Sequence, residues 1–281
     1  MTTIAVTGVT GRLGGRVAAR LAASGTSQRL VVRDPARAPR LDGARVARAD
    51  FADGEAARQA LDGIETLLMV SASEAPDRVA QHRAFVDAAV AAGVGHLVYV
   101  SFYGAAPDAT FTLARDHWAT EEHIRATGVP FTFLRDNMYA DLLPLMAGQD
   151  GVLRGPAEDG RVSVVALDDI ADAAVAVLGS PGEHAGATYD LTGPEAITLE
   201  EAAAIITEVT GRPVTYHRET VEEAYRSREH YGAPDWEVDA WVSTYTAIAK
   251  GELAGVGDAV PRLTGRPATS LATALATAPV R

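Results

Sequence analysis

The chain has 281 residues, 47% of them apolar and 22% charged, which suits a globular enzyme with one large domain or one domain and a smaller lobe. Its formal net charge of -12 repels nucleic acid and anionic lipid, and no run of about eighteen apolar residues offers a membrane span. With no cysteine, disulfides, thiol nucleophiles and zinc–thiolate sites are excluded; the only lysine is Lys250.

The N-terminus reads Met1-Thr2-Thr3-Ile4, without a basic segment or a signal-peptide core, so the expected compartment is the cytoplasm. Residues 3–7 then predict a buried strand, and 12–24 a helix capped by Gly25. Strands follow over 29–33, 45–49, 64–70, 96–101 and 130–134, with helices over 55–61, 77–92 and 113–127 between them. That alternation predicts a Rossmann-type, doubly wound parallel sheet, an α/β fold. The second half is less regular: a helix over 138–147, a strand over 162–165, a helix over 168–178 and a strand over 188–191. Thr198-Leu199-Glu200-Glu201 has the form of a capping box opening a helix to Val209. Further helices are expected over 220–229 and 235–250, and the tail from Gly251 is rich in Gly, Pro and Thr.

The first strand runs into Thr7-Gly8-Val9-Thr10-Gly11-Arg12-Leu13-Gly14. Gly8 allows the sharp turn, Gly11 lets a pyrophosphate approach the backbone, and Gly14 lets the helix lie close to the strand. The free N–H groups of the helix opening then face the phosphates. Thr10, Arg12 and Leu13 complete this predicted cradle. The second strand ends in Arg33, with Asp34 next and Arg37 four residues on. Arginines at that point suit the 2′-phosphate of NADP(H) and favour it over NAD(H), with Arg12 as a possible third positive group. Asp34 is the competing reading, since an acid there can bind a ribose hydroxyl and favour NAD. Asp50-Phe51 ends the third strand, either flanking an adenine or leaving Phe51 in the core below a helix capped by Asp53.

Ligands of such sheets sit beyond the carboxyl ends of the strands. Ser71-Ala72-Ser73 follows the fourth strand and leaves room for the cofactor. Ser101-Phe102-Tyr103-Gly104 follows the fifth, and Arg135-Asp136-Asn137-Met138-Tyr139 the sixth. Phe102, Tyr103, His117, Asn137 and Tyr139 are therefore the expected substrate contacts. A Tyr-x-x-x-Lys dyad is absent, because the residue four before Lys250 is Thr246. His117 and Tyr103 are the candidate catalytic groups. Glu121 lies one turn after His117 and would hold its imidazole, or the two form a surface ion pair. His82 reads as a structural histidine. No metal-ligand spacing and no Gly-x-Ser-x-Gly occur.

These motifs, with Gln81-His82-Arg83, Ala91-Ala92-Gly93-Val94, His117-Trp118-Ala119-Thr120-Glu121 and Asp169-Ile170-Ala171, resemble the NmrA-like atypical short-chain dehydrogenase/reductases. Within them the chain is most similar to the NADPH-dependent quinone oxidoreductase type 2 branch. The resemblance spans nearly the whole chain. It implies an NADP(H)-binding Rossmann domain over 1–137, to which 160–180 return, and a smaller α+β lobe over 138–281 that mainly binds substrate. It implies phosphate contacts at Arg33 and Arg37, and His117 facing the cleft. Where the branch usually carries Asn, this chain has Asp136, followed by Asn137. The implied function is NADPH-dependent reduction of a quinone or other carbonyl, with a small aromatic molecule as partner and a monomer or homodimer as assembly. The group also contains non-catalytic NADP(H) sensors and tailoring enzymes of secondary metabolism, which are the alternative readings.

Overall fold

The computed structural model describes residues 3–277. In chain order the elements are β1 (Ile4–Val6), α1 (Arg12–Ala23), β2 (Gln28–Val32), β3 (Ala44–Arg48), α2 (Gly54–Ala60), β4 (Thr66–Val70), α3 (Arg78–Ala91), β5 (His96–Phe102), α4 (Thr112–Thr127) and β6 (Phe131–Asp136). There follow α5 (Leu143–Met146), β7 (Val152–Gly155), β8 (Arg161–Val162), α6 (Leu167–Gly179), β9 (Ala187–Leu191), β10 (Ile197–Thr198), α7 (Leu199–Thr210), β11 (Thr215–Arg218), α8 (Val221–Arg228), α9 (Asp235–Ala249), α10 (Ala259–Thr264) and α11 (Leu271–Thr277). The chain forms two compact units.

The first unit is Met1–Phe102, Asp116–Arg135 and Ile170–Tyr189. Its sheet has the strand order β3-β2-β1-β4-β5-β6-β9. The pairs β1–β2, β1–β4, β2–β3 and β4–β5 are parallel. The order reverses at β1, which puts a crevice beyond the ends of β1 and β4. The inner strands are covered on both faces, so they read as apolar runs rather than alternating ones, while the edge strands β3 and β9 stay partly exposed. One face presents Ala5, Val31, Leu67, Met69, Leu97, Tyr99 and Phe133, packed on Ala57 of α2 and Leu61 just after it, Phe85 and Val86 of α3 and Ile124 of α4. The register puts Val6, Leu30, Leu68 and Val98 side by side on the opposite face, all buried. Helix α1 buries Leu13, Gly14, Val17, Ala18 and Leu21, a stripe of helical period. Arg20 of α1 and Asp172 of α6 are joined at 2.6 Å.

The second unit is Tyr103–Arg115, Asp136–Asp169 and Asp190–Arg281. It holds two small sheets: β8 antiparallel to β10, and β7 parallel to β11. Neither β7 nor β10 nor β11 was expected. Strand β11 is four residues with only Tyr216 better than exposed, so it has no apolar alternation to read. The helix expected over 138–147 is instead a 3-10 turn (Ala140–Leu142) and the one-turn α5, which opens on Pro144. The tail, irregular by composition, makes α10 and α11, and α11 packs on α7. The Thr198 capping box forms as its spacing predicts. Among the described residues no helix is long and apolar enough to cross a membrane.

Candidate active site

The glycine turn is built by close approach. Gly8 has φ +65°, a conformation L side chains rarely adopt. A Cβ on Gly14 would lie 2.5 Å from the Gly8 carbonyl carbon and oxygen and 2.7 Å from Thr7 O. Only glycine lets α1 start this close to β1. Gly11 caps α1 with no side-chain hydrogen bond, and the first turn holds no acidic residue. The opening amides of α1 are therefore left for an anion.

This turn lines a cleft of about 380 Å³ in the first unit, together with the ends of β2, β3 and β4. Of the residues predicted from sequence, Gly8, Thr10, Gly11, Arg33, Asp50, Phe51, Ser71, Ala72 and Ser73 meet there. Arg12, Leu13 and Gly14 belong to the first turn of α1, with Leu13 and Gly14 buried and Arg12 exposed. Arg37 lies exposed in the 3-10 turn after β2. Among the described residues no ion pair engages Arg12, Arg33 or Arg37, so all three guanidinium groups remain available. Asp34 Oδ1 instead accepts from Ala36 N–H at 3.0 Å and caps that turn, which ties the carboxylate to its own loop. Phe51 stacks on Phe85 at 4.1 Å while lining the cleft, and Asp53 caps α2. Sequence reasoning missed Gln81 as a cleft residue. Its signal was its place one turn into the helix that follows Ser71–Ser73.

Beneath the cleft lies a buried polar network. Helix α3 turns Arg78 and His82 inward on the same stripe as Phe85 and Ala89. His82 Nε2 accepts from Ala72 N–H at 2.9 Å, and Arg78 Nε donates to Ala72 O at 3.1 Å, so both polar groups of that loop residue are held from below. The acceptor role at Nε2 puts the His82 proton on Nδ1, facing Thr120 Oγ1 at 2.9 Å. His117 follows the same logic. Its Nε2 accepts from Arg78 Nη2 at 3.0 Å, so Nδ1–H points at Tyr99 Oη at 2.9 Å. The expected hold of Glu121 on His117 does not form. Glu121 is fully buried and accepts from Ser101 Oγ at 2.6 Å and from both Nε and Nη2 of Arg135. Phe102 lies near His117, ring centroids 6.2 Å apart.

In the second unit, Asn137 is fully buried. It donates to Ser163 Oγ at 2.9 Å and to Leu253 O at 3.0 Å, and accepts from Met138 N–H. Both of its N–H donors are thus committed to the fold. Asp136 is buried as well, and Tyr139 Oη donates to it at 2.9 Å. Burial raises the Asp136 carboxyl well above the usual range. Tyr103 rests its hydroxyl where a Cβ on Gly255 would otherwise stand. Burial raises its phenol too.

The model of the NmrA-like family matches residues 1–235. The chain belongs to the NmrA-like family. Among curated proteins it is 35% identical to quinone oxidoreductase 2 of Escherichia coli over 276 residues, 96% of each chain. It is 33% identical to the NAD(P)H azoreductase of Xenophilus azovorans, over 96% of this chain and 95% of that one. Among solved structures, the NADPH-dependent quinone oxidoreductase of Escherichia coli complexed with NADPH superposes with a TM-score of 0.87 at 34% identity, over 97% of this chain and 98% of that one.

In the first unit of this NmrA-like chain His82 and His117 are buried with their pKa values lowered, so stability is expected to fall in acid. Burial, then the Arg78 charge, pushes His82 down to about 3 and His117 well below its usual value. In the unfolded chain both titrate near 6.5. Below pH 6.5 the unfolded state therefore binds protons that the folded state refuses, and stability falls as pH drops, for His82 down to about pH 3. Each group contributes up to about 1.4 kcal/mol per pH unit in that window. Urea unfolding between pH 7 and pH 4.5 should show the decline, and His82→Gln, which keeps an acceptor for Ala72 N–H, should make it shallower by one histidine's worth. An unchanged slope in that variant would show that His82 is not buried neutral.

Proposed function

We propose that this protein is an NADPH-dependent oxidoreductase that reduces a quinone or other carbonyl compound. The observation that carries the reading is the bare amide opening of α1 in one cleft with the guanidinium of Arg33, which no ion pair among the described residues engages. The identities to a quinone oxidoreductase and an azoreductase over almost the whole chain support the same class.

The residues present fit the dinucleotide. The glycine turn brings the start of α1 against β1, where a Cβ on Gly14 would meet the Gly8 carbonyl, and α1 offers its unfilled N-terminus. Arg33, with Arg37 four residues on and Arg12 at the opening of α1, holds the 2′-phosphate, while Asp50 and Phe51 border the adenine and Ser71–Ser73 the ribose and phosphates. We assign NADP(H) binding to the first unit and acceptor binding mainly to the second. Bound NADPH supplies the hydride. The protein positions, excludes water and manages a proton.

The enzyme works without a Tyr-x-x-x-Lys dyad, since the one lysine, Lys250, donates to Thr110 Oγ1 at 2.9 Å. Phe102, Tyr103 and Tyr139 are the aromatic surfaces for the acceptor. His117 points its only N–H at Tyr99, which suits holding the site's shape better than giving up a proton. Burial raises the Asp136 carboxyl, and Tyr139 Oη donates to it; this pair is our assignment for the proton. A quinone asks little of it, because aromaticity stabilises the reduced dianion. The expected compartment remains the cytoplasm. The test is NADPH consumption with a panel of benzoquinones, naphthoquinones and aldehydes. Turnover with a quinone and preference for NADPH over NADH are expected. Tight NADPH binding with no turnover of any acceptor would leave a dinucleotide-binding module, not an enzyme.

A further inference from the structure

A cavity of about 640 Å³ opens inside the second unit between α5, β7, α8 and α9, in the volume range of small-molecule sites. It shares no residue with the coenzyme cleft, and none of the groups assigned to the acceptor or its proton lines it. Its body is apolar: Met146, Tyr231 and Trp241 wall it, the two aromatic rings meeting edge to face at 5.7 Å. Its polar lining is one-sided, since Arg154 and Arg228 belong to it and no Asp or Glu does. We propose that this cavity is a binding site for an aromatic carboxylate, a ligand separate from both the coenzyme and the acceptor.

The polar groups of the cavity are donors in want of an acceptor. Tyr245 is only 6% exposed, and its ring packs on bare backbone, where a Cβ on Gly155 would stand 2.4 Å away. Its hydroxyl is partnered by the Arg228 guanidinium, which can donate but cannot accept. Among the described residues no group accepts the phenol's own proton, although a buried tyrosine hydroxyl ordinarily finds a partner. Arg228 is fixed in place, bonded to Glu219 at 2.9 Å and to the carbonyls of Ala224 and Arg154, and Glu219 balances its charge. Arg154 is the charge that a ligand can claim. It meets Asp150 through Nη2 at 2.9 Å, in a pair whose side chains are 40% and 52% exposed, and such pairs are weakened by water and salt. A carboxylate fits the fork of its other N–H groups. The ring system behind that carboxylate would cover Trp241 and Tyr231, the latter 65% exposed, and touch the thioether of Met146. A neutral ring compound covers the same walls and leaves the donors unmet. A carboxylate carbon is also a poor hydride acceptor, so such a ligand is held here and not reduced.

The measurement is calorimetric titration of 2-naphthoate, with 2-naphthamide as its neutral counterpart, into the whole protein with and without NADP⁺. Naphthoate should bind about tenfold or more tighter than naphthamide, equally in both coenzyme states. Arg154→Gln should weaken naphthoate by about tenfold or more and leave naphthamide nearly unchanged. Tyr245→Phe removes one O–H and keeps the ring. It should weaken naphthoate by a similar factor without lowering the Tm of the free protein, because the lost donor had no acceptor to begin with. Should Tyr245→Phe lower the Tm, the decision rests on Arg154→Gln, which changes an exposed side chain. Absence of naphthoate binding, equal affinity for naphthamide, or wild-type affinity in the folded variants overturns the inference. So does displacement of naphthoate by NADP⁺, or competition between naphthoate and a quinone in turnover, which would return it to the sites already described. The titration needs no turnover, so a protein that reduces no acceptor fails the reductase reading and leaves this one standing.

Discussion

Replacing Arg33 by alanine is expected to weaken NADPH binding by roughly 10- to 150-fold while leaving NADH nearly unchanged. The figure follows from a hydrogen bond to a charged group being worth about 1.5–3 kcal/mol. Arg33 stands at the end of β2 and lines the cleft that the glycine turn opens. Among the described residues no carboxylate neutralises it, so its full charge is available to a phosphate. Asp34, which could have shifted the preference to NAD, is tied into the cap of the following turn. Calorimetric Kd values for both coenzymes decide it. Equal losses for NADPH and NADH would remove Arg33 from the phosphate site. Lysine at this position should restore only part of the affinity, because it lacks the planar fork.

The second large effect is expected from Gly14→Ala. One methyl group would arrive 2.5 Å from the Gly8 carbonyl and 2.7 Å from Thr7 O, all of it main chain that cannot rotate aside. Helix α1 must back away from β1, at a cost of about 1–3 kcal/mol in strain. A Tm lower by about 2–10 °C follows. NADPH affinity should fall at least about tenfold, because the amides that hold the diphosphate move with the helix. Gly54→Ala is the control: it meets nothing closer than Ala84 O at 4.0 Å and should leave binding alone. A Gly14→Ala protein with wild-type NADPH affinity would show that the helix opening does not carry the phosphates.

How much of this was legible in the chain depends on range. The inner strands of the first unit could be read because they are buried on both faces and so spell apolar runs, and the glycine turn because each glycine answers a local steric demand. Arg33 was readable as a residue at a strand end. The buried network was not. Arg78 and His82 sit 39 and 38 residues from their partners His117 and Thr120, and nothing in a linear pattern joins them. Spacing suggested that Glu121 holds His117, since they are one turn apart; the fold gives Glu121 to Arg135 and Ser101 instead. Asn137 looked like a free amide beyond a strand, yet its partners come from Ser163 and Leu253. A second-unit cavity lined by Met146, Tyr231 and Trp241 escaped for the same reason, because Met146 lies far in sequence from the two aromatic residues.

Quinones are electrophiles as well as oxidants: they arylate thiols and primary amines by conjugate addition. This chain contains no thiol, and its single ε-amine is engaged by the Thr110 hydroxyl. The positive charges proposed to grip its coenzyme are guanidiniums, which stay protonated and are poor nucleophiles. A protein so composed can meet reactive acceptors turnover after turnover with almost nothing for them to alkylate.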